Sequence, residues 1–371
     1  MIEKPVITLD IVIPSFRVDT EILENILKLE QPIGMNLKFI IILDNPAINI
    51  SEECRKLEER DDVTIYVNET NIGAAGTRNR GIENSTADWI LFLDDDIHPD
   101  QKLLDVYGEL IENYDNSVPG YVGVTRFPKP NNSFTRGFVS SSLLYFFDLP
   151  ERRSDVTWGA TSNILFNRKA IGNHRFSYQF PKAGGGEDVD FCFRIQKAFG
   201  ARFASAPKAI VHHPWWNNSK RRYKRSFRWG FSDTMLPSIY NDNSWRDLPN
   251  TVESIAIFLL IAIPMLLFSV ITIMTIGLII GMLILGDWIS EWFRQLLSNS
   301  VYSPITAVES SIIRLAFALG GVRYLVTSSN YLKIGNRFDY GYDEWSKNRR
   351  WSILRSSTQT LLIILYFCLY L

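Results

Sequence analysis

The segment Trp89-Ile-Leu-Phe-Leu-Asp-Asp-Asp-Ile-His98 decides the fold of this 371-residue chain. Five apolar residues run directly into Asp94, Asp95 and Asp96, which predicts a buried strand of a parallel sheet. Ligands of open α/β sheets bind at the carboxyl ends of the strands. Three adjacent carboxylates repel one another, and a hard divalent cation would relieve that repulsion. The segment therefore predicts a Mg²⁺ or Mn²⁺ site that also carries substrate phosphates. The alternative is an acidic turn that caps the next helix.

Strands and helices are predicted to alternate through the first half of the chain, which indicates a doubly wound, mainly parallel α/β sheet. The other early strands are predicted at 6–13, 38–43 and 63–67. A formal net charge of −1 provides no overall field that would attract nucleic acid. The three widely spaced cysteines indicate neither a disulfide framework nor a zinc site, and they fit a reducing cytoplasm.

Two further segments place glycine beside charged residues. Asn71-Ile-Gly-Ala-Ala-Gly-Thr-Arg-Asn-Arg-Gly81 predicts a turn and a helix, without the spacing of a dinucleotide fingerprint or a P-loop. Gly184-Gly-Gly-Glu-Asp-Val-Asp190 predicts a flexible hinge before another helix. The acidic residues of that first turn are either functional or only favoured by the helix dipole.

A predicted strand ends in His212 and His213. Because neighbouring strand residues face opposite sides, at most one of the two should enter a shared site. Six basic residues follow within 220–228. They form either a solvated charge run or a surface that contacts anionic lipid or substrate phosphate.

The last third of the chain is predicted to be a membrane region. No charged residue occurs over the 31 positions 255–285, whereas a membrane span needs roughly 20. Further spans are predicted at 305–326 and 352–371. The segment 305–326 contains Glu309 and two arginines, so it is either a span that faces protein or an amphipathic surface helix.

These features predict a soluble domain at 1–235 and a membrane region at 236–371. The loop 286–304 carries a single basic residue, whereas the segments 220–228 and 329–350 carry six and five. This asymmetry is the positive-inside pattern of a multi-pass membrane protein with its N-terminal domain in the cytoplasm.

Taken together, the chain resembles a family 2 glycosyltransferase with the nucleotide-sugar-binding α/β fold called GT-A. The resemblance covers about residues 8–230 and depends on the order and spacing of short motifs. The matching motifs are Asp10-Ile-Val-Ile-Pro-Ser-Phe16, Asp44, Asn71-Ile-Gly with Arg78-Asn-Arg-Gly81, Leu93-Asp-Asp-Asp96 and Gly186-Glu-Asp-Val-Asp190.

The resemblance implies a role for each matching residue. The implied nucleotide-sugar-binding residues are Pro14, Ser15, Asp44, Arg78, Asp94 and Asp95. Asp96 would bind the divalent cation, Mn²⁺ or Mg²⁺, with a histidine; His212 fits best, and His213 is a close rival. Asp188 would be the catalytic base.

Four more residues are expected to contact the acceptor or the donor sugar: Trp158, Glu187, Arg228 and Trp229. Tryptophans near a membrane are as often interfacial anchors. Processive polysaccharide synthases carry Gln-x-x-Arg-Trp, whereas this chain has Arg225-Ser-Phe-Arg-Trp229. The missing glutamine favours a transferase that adds one or a few sugars.

The resemblance implies inverting, metal-dependent transfer from a nucleotide sugar, a UDP-sugar above all, to a hydroxyl of a lipid-linked or glycan acceptor. The cation would stabilise the leaving diphosphate, and Asp188 would take the proton of the hydroxyl. Other hypotheses are a processive synthase, a polyprenyl-phosphate glycosyltransferase, a nucleotidyltransferase and a non-catalytic membrane assembly protein.

Overall fold

The computed structural model describes residues 6–268, 272–297, 303–342 and 344–370. Parts of several predicted segments lie outside the described residues: 1–5 of the domain 1–235, 269–271 of the span 255–285, 298–302 of the loop 286–304, and 371 of the span 352–371. The chain divides into two compact units. The first consists of residues 1–129 and 144–215, and the second of residues 130–143 and 216–371.

The first unit is built on a nine-stranded sheet. Its strands are β1 (Ile7–Ser15), β2 (Met35–Leu43), β3 (Val63–Val67), β4 (Trp89–Leu93), β5 (His98–Pro99), β6 (Gly120–Arg126), β7 (Asp155–Val156), β8 (Asn163–Asn167) and β9 (Phe203–His212). The spatial order is β3-β2-β1-β4-β8-β6-β9-β5, and β7 also pairs with β9. The strands β3, β2, β1 and β4 are parallel, and β8 runs antiparallel between β4 and β6. The predicted α/β class is confirmed.

Helices follow most of these strands. In chain order they are α1 (Thr20–Leu27), α2 (Glu52–Lys56), α3 (Gly73–Asn84), α4 (Leu103–Glu112), α5 (Ser133–Ser140), α6 (Leu149–Arg152), α7 (Arg168–Ile171), α8 (Glu187–Phe199), α9 (Lys224–Ile239), α10 (Thr251–Leu267), α11 (Ile273–Leu297), α12 (Pro304–Thr327) and α13 (Glu344–Tyr370). Helices α5 and α9–α13 belong to the second unit, with a small antiparallel pair, β10 (Ser244–Arg246) and β11 (Asn336–Phe338).

The strand β4 lies in the centre of the sheet, and its five apolar residues are buried. Helix α3 packs tightly over the neighbouring strand β1, because a Cβ atom at Gly81 would lie only 2.2 Å from Cγ1 of Val12. Only glycine permits this approach. The close packing brings α3 and its arginine Arg78 towards the carboxyl ends of β1 and β4.

In the second unit, helices α9 and α12 cross with their backbones in contact. A Cβ atom at Gly230 would lie 1.8 Å from the carbonyl oxygen of Phe317, and one at Gly320 would lie 1.8 Å from that of Phe227. Small residues allow helices to approach this closely. Near its start, α12 buries Glu309, which pairs with the exposed Arg221 and accepts a 2.9 Å hydrogen bond from the Tyr223 hydroxyl.

The sequence predicts one span at 255–285, whereas the structure divides this run between α10 and α11. The Thr251 hydroxyl at the start of α10 donates a 2.6 Å hydrogen bond to Oδ1 of Asp287 in α11. The Gln359 amide of α13 donates to Thr251 Oγ1 at 3.0 Å and to the Leu283 carbonyl oxygen at 2.8 Å. The two helices therefore form a hairpin. Apolar composition predicts the environment of such a run but not whether its helix is continuous.

Among the described residues, the helices long and apolar enough to cross a membrane are α11 and α12. The side chains at the α10–α11 end of the hairpin are apolar and exposed, including Leu267, Phe268, Ile273 and Met274. This surface is compatible with association with a membrane.

Candidate active site

The three aspartates that follow β4 have different partners. Asp94 lies 3.3 Å from the Arg78 guanidinium, Asp95 is bound to the loop after β1, and Asp96 lies between an arginine and a histidine. Asp95 and Asp96 are buried, whereas the side chain of Asp94 is about one-third exposed. Asp94, Asp95 and Asp96 thus form an aspartate turn that joins three segments at the carboxyl edge of the sheet.

Asp95 organises the loop that follows β1. Its Oδ2 accepts a 2.8 Å hydrogen bond from the Ser15 hydroxyl and 3.2 Å bonds from the backbone N–H groups of Phe16 and Arg17. Burial raises the pKa of the Asp95 carboxyl above its ordinary value, and the Arg17 charge opposes that rise. Since Ser15 is itself fully buried, both predicted nucleotide-binding residues shape the loop.

Arg78 connects the aspartate turn to helix α8. Its guanidinium donates to Oε1 of Glu187 at 2.9 Å and to Oδ1 of Asp94 at 3.3 Å, and it lies over the ring of Phe176. Arg78 and Glu187 are both buried. The ion pair brings the acidic turn of α8 to the end of β4, although the two segments are far apart in the sequence.

Two oxygen atoms in the first turn of α8 have no hydrogen-bond partner among the described residues. One is the buried Oε2 of Glu187. The other is Oδ2 of Asp188, whose Oδ1 accepts from the backbone N–H groups of Gly186 and Val189 at 3.2 and 2.9 Å. Gly186 has φ +94°, a left-handed conformation that favours glycine, and it sets the direction in which α8 begins.

Asp188 has an elevated proton affinity. Burial and the neighbouring Glu187 carboxylate raise the pKa of Asp188 to about 7, against the opposing effect of Arg78. A carboxylate with a pKa near the working pH is suited to general-base chemistry.

The structure brings His213, and not His212, to the aspartate turn. Nε2 of the buried His213 lies 3.3 Å from Oδ1 of Asp96. Nδ1 of His213 lies 2.6 Å from the Pro214 carbonyl oxygen, which can only accept, so Nδ1 donates to it and Nε2 is the ring nitrogen that faces Asp96. His212 is exposed and bonds to Asp100 at 2.9 Å. The two histidines point to different sides because consecutive residues at the end of β9 face opposite ways, and a metal contact of either one stays a prediction.

Asp96 and His213 offer one carboxylate and one imidazole to a divalent cation. Among the described residues there is no group of three or more histidine, cysteine, aspartate or glutamate side chains placed to hold a metal ion. Mg²⁺ and related ions at nucleotide sites are held by one or two carboxylates together with substrate phosphates. One carboxylate and one oriented imidazole therefore fit a cation that the donor helps to coordinate.

Other predicted residues have structural contacts. Asp44 is buried and accepts hydrogen bonds from the Asn68 amide and from the backbone N–H groups of Ile72 and Gly73, which fix the start of α3. Pro14 lies within β1 and is half-buried. Contact of Asp44 and Pro14 with a nucleoside stays a prediction.

The predicted sugar-contact residues lie in both units. Trp158 belongs to the first unit, where its buried ring lies 4.7 Å from that of Phe146. Arg228 and Trp229 belong to α9 in the second unit, where the Trp229 ring meets that of Trp216 edge-on at 5.6 Å. Their contact with sugar stays a prediction.

Arg17 is the site residue that the sequence analysis missed. It lies between Asp95 and Asp96, and its side chain is 49% exposed. A signal was present, since Arg17 is the basic residue that directly follows the Pro14-Ser15-Phe16 end of the first strand.

The family model described as "Glycosyl transferase family 2" matches residues 10–175, which run from within β1 to just after α7 and include the aspartate turn. Over these residues the chain is similar to glycosyl transferase family 2. Asp188 and His213 lie beyond the matched residues. The Arg78–Glu187 bond and the His213–Asp96 contact bring their segments to the aspartate turn.

Several known proteins are similar to this chain. A glycosyltransferase of Haemophilus influenzae that is described as uncharacterized is 39% identical over 90 residues, covering 24% of this chain and 29% of that protein. EpsH of Bacillus subtilis is 27% identical over 197 residues, covering 48% of this chain and 52% of that protein. The chain thus spans about a third to a half of the length of these curated relatives.

A solved structure resembles the chain over more of its length. It is the mannosyltransferase PcManGT of Pyrobaculum calidifontis in complex with GDP-Man and Mn²⁺, with 13% sequence identity and a TM-score of 0.45. The likeness covers 95% of this chain and 86% of that chain.

Proposed function

We propose that the protein is an inverting, divalent-cation-dependent glycosyltransferase that moves a sugar from a nucleotide-sugar donor to an acceptor hydroxyl. The observation that carries the proposal is the Arg78 bridge between Asp94 and Glu187. It joins a candidate metal–diphosphate site at the end of β4 to a candidate base in the first turn of α8, as a single displacement requires.

Asp96 and His213 support the donor side of the reaction. They would hold a Mn²⁺ or Mg²⁺ ion, which when bound neutralises the charge that develops on the leaving nucleoside diphosphate. The Pro214 carbonyl oxygen fixes the His213 ring so that Nε2 faces Asp96. Such an oriented second contact is typical of metal-binding histidines.

Asp188 and Glu187 support the acceptor side. The Oδ2 atom of Asp188 has no partner among the described residues and would accept the proton of the attacking hydroxyl. The partnerless Oε2 of Glu187 would accept a hydrogen bond from a sugar hydroxyl. Because attack and departure occur on opposite sides of the anomeric carbon, the transfer inverts its configuration.

We further propose that the α10–α11 hairpin inserts into the membrane and that the transferase domain lies in the cytoplasm. The hairpin exposes apolar side chains where α10 ends and α11 begins. At its opposite end, the Thr251–Asp287 hydrogen bond joins the two helices. A membrane location makes a lipid-linked acceptor the first candidate, with a glycan acceptor second. The sequence departure at Arg225 supports the addition of one or a few sugars.

The function is tested with the purified full-length protein and a panel of UDP- and GDP-sugars, with and without Mn²⁺. We expect Mn²⁺-dependent release of a nucleoside diphosphate from one donor, and a β-linked product from an α-linked donor. Asp96→Ala should abolish the Mn²⁺-dependent part of donor binding because the cation loses its carboxylate ligand.

Other results would identify other functions. Release of pyrophosphate from a nucleoside triphosphate would indicate a nucleotidyltransferase, and no turnover with any donor would indicate a binding protein. A product linked through phosphate would indicate a polyprenyl-phosphate glycosyltransferase. Unchanged donor affinity in Asp96→Ala would remove the metal role of this residue.

The topology is tested by cysteine labelling in a Cys368→Ser background. Leu297 at the end of α11 is 72% exposed, and Ser328 follows α12. With the hairpin, Leu297→Cys and Ser328→Cys should both resist an impermeant thiol reagent in intact cells and react after lysis. Labelling of Leu297→Cys alone in intact cells would restore the three-span arrangement.

A further inference from the structure

Arg17 bridges two carboxylates of the aspartate turn. Its Nη1 atom contacts Oδ1 of Asp95, and its Nη2 atom lies 2.7 Å from Oδ2 of Asp96. This fork geometry suits an arginine that bridges two acidic groups. Because Asp96 is a candidate metal ligand, the guanidinium lies against the carboxylate that the cation would use.

The loop that carries Arg17 is held in place by bonds that do not involve the Arg17 side chain. Asp95 is also held by the Ser15 hydroxyl and the Phe16 N–H group, and it accepts from the backbone N–H of Arg17. These bonds fix the backbone of the loop. The Arg17 side chain itself is 49% exposed, so its outer end can turn towards solvent without unfolding the loop.

We propose that Arg17 is a tethered cation that neutralises Asp96 until the metal and the donor bind together. This inference deepens the proposed metal-dependent function. A guanidinium and a divalent cation at one carboxylate repel each other, so Arg17 leaves Asp96 when the cation arrives. The displaced guanidinium then pairs with the donor diphosphate, whose oxygen atoms can accept two parallel N–H hydrogen bonds from its planar fork.

The exchange predicts opposite effects on two affinities. Without nucleotide, the metal competes with Arg17 for Asp96, so the protein binds Mn²⁺ weakly. With a nucleoside diphosphate present, Arg17 gains a new partner and the competition ends. The two ligands therefore bind cooperatively, and each raises the affinity for the other by the same factor.

The test measures Mn²⁺ binding to the full-length protein by the paramagnetic resonance signal of free Mn²⁺, alone and with saturating UDP or GDP. Arg17→Gln should bind Mn²⁺ alone about tenfold more tightly than wild type, the equivalent of one charge-assisted hydrogen bond. The same variant should bind the nucleotide about tenfold more weakly at saturating Mn²⁺. Cooperativity between Mn²⁺ and nucleotide should then fall.

Arg152→Gln is the matched control, since Arg152 is also half-exposed and pairs with Asp148 away from the aspartate turn. It should bind both ligands as the wild type does. Arg17→Lys keeps a charge but not the fork, so it should lie between wild type and Arg17→Gln and covers the case in which Arg17→Gln does not fold.

The outcomes separate this inference from the proposed function. Unchanged Mn²⁺ affinity or unchanged nucleotide affinity in the Arg17 variants would overturn the exchange. A wild-type protein that binds Mn²⁺ neither alone nor with nucleotide would overturn metal dependence itself.

Discussion

The site has an inner half and an outer half. Each half holds two acidic residues and one arginine, and the two arginines differ in burial. Arg78, in the inner half, is 7% exposed and bonds to Glu187 and Asp94. Arg17, in the outer half, has a half-exposed side chain and bonds to Asp95 and Asp96. An exposed ion pair can exchange its partners at little cost, whereas a buried pair cannot lose one partner cheaply. The inner arginine is thus suited to holding the site together, and the outer one to responding to ligand.

The largest expected effect belongs to the inner half. Asp188→Asn keeps the shape and the backbone contacts of the side chain but removes proton acceptance. We expect transfer to fall by about 10²–10⁴-fold while donor binding is retained. Single-turnover kinetics and donor titration measure the two quantities separately.

The matched control is Asp190→Asn in the same helical turn, where Asp190 pairs with Arg194 at 2.7 Å. It should cost stability and keep most of the turnover. If Asp188→Asn folds, binds donor and transfers at a near wild-type rate, the base lies elsewhere, with Glu187 and Asp190 next.

Removing the two arginines tests the comparison directly. Arg78→Met leaves the Glu187 carboxylate buried without its partner, so the free energy of unfolding should fall by about 3–5 kcal/mol. Arg17→Met should cost less, because the buried Asp95 keeps its hydrogen bonds from Ser15 and the backbone, and Asp96 keeps its contact with His213. Urea unfolding followed by tryptophan fluorescence measures both free energies. Equal losses in the two variants would contradict the view that Arg78 holds the site together and Arg17 exchanges its partners.

Substituting each histidine tests which imidazole binds the cation in the outer half of the site. His213→Ala removes the imidazole beside Asp96 and should weaken Mn²⁺ binding in the presence of UDP by about 10–100-fold. His212→Ala removes a side chain that bonds to Asp100 at the surface and should leave this affinity unchanged. Calorimetric titration with Mn²⁺ checks the pair, and the reverse result would reinstate His212.

The smallest expected effect is a shift in the pH profile. Because Asp188 has a pKa raised to about 7 by burial and Glu187, kcat/KM should rise tenfold per pH unit below 7 and level off above it. The sign follows from the base, which must lose its proton to act. Glu187→Gln removes a negative charge, lowers the pKa of Asp188 and should move this limb to lower pH. If the acidic limb of the pH profile does not move in this variant, a group other than Asp188 controls it.

Much of the fold could be predicted because its signals are local. The apolar run before Asp94 is buried strand β4, and the acidic turn after Gly186 begins helix α8. The division of the run 255–285 could not be predicted from composition, since α10 and the first part of α11 are both apolar. The contacts among Thr251, Asp287 and Gln359, which lie far apart in the sequence, show how the helices pack.

The sequence by itself determined the strand ends, the family 2 motifs and the residues that carry charge, because hydrophobic periodicity and turn chemistry act over a few neighbouring positions. Only the tertiary structure decided which charges meet: Arg78 with Glu187, Arg17 with Asp96, and His213 rather than His212 with Asp96. Such pairings depend on how distant segments pack at one edge of the sheet, and on which side of β9 each histidine faces. A buried carboxylate requires a partner, but its sequence neighbours do not show which distant side chain provides it.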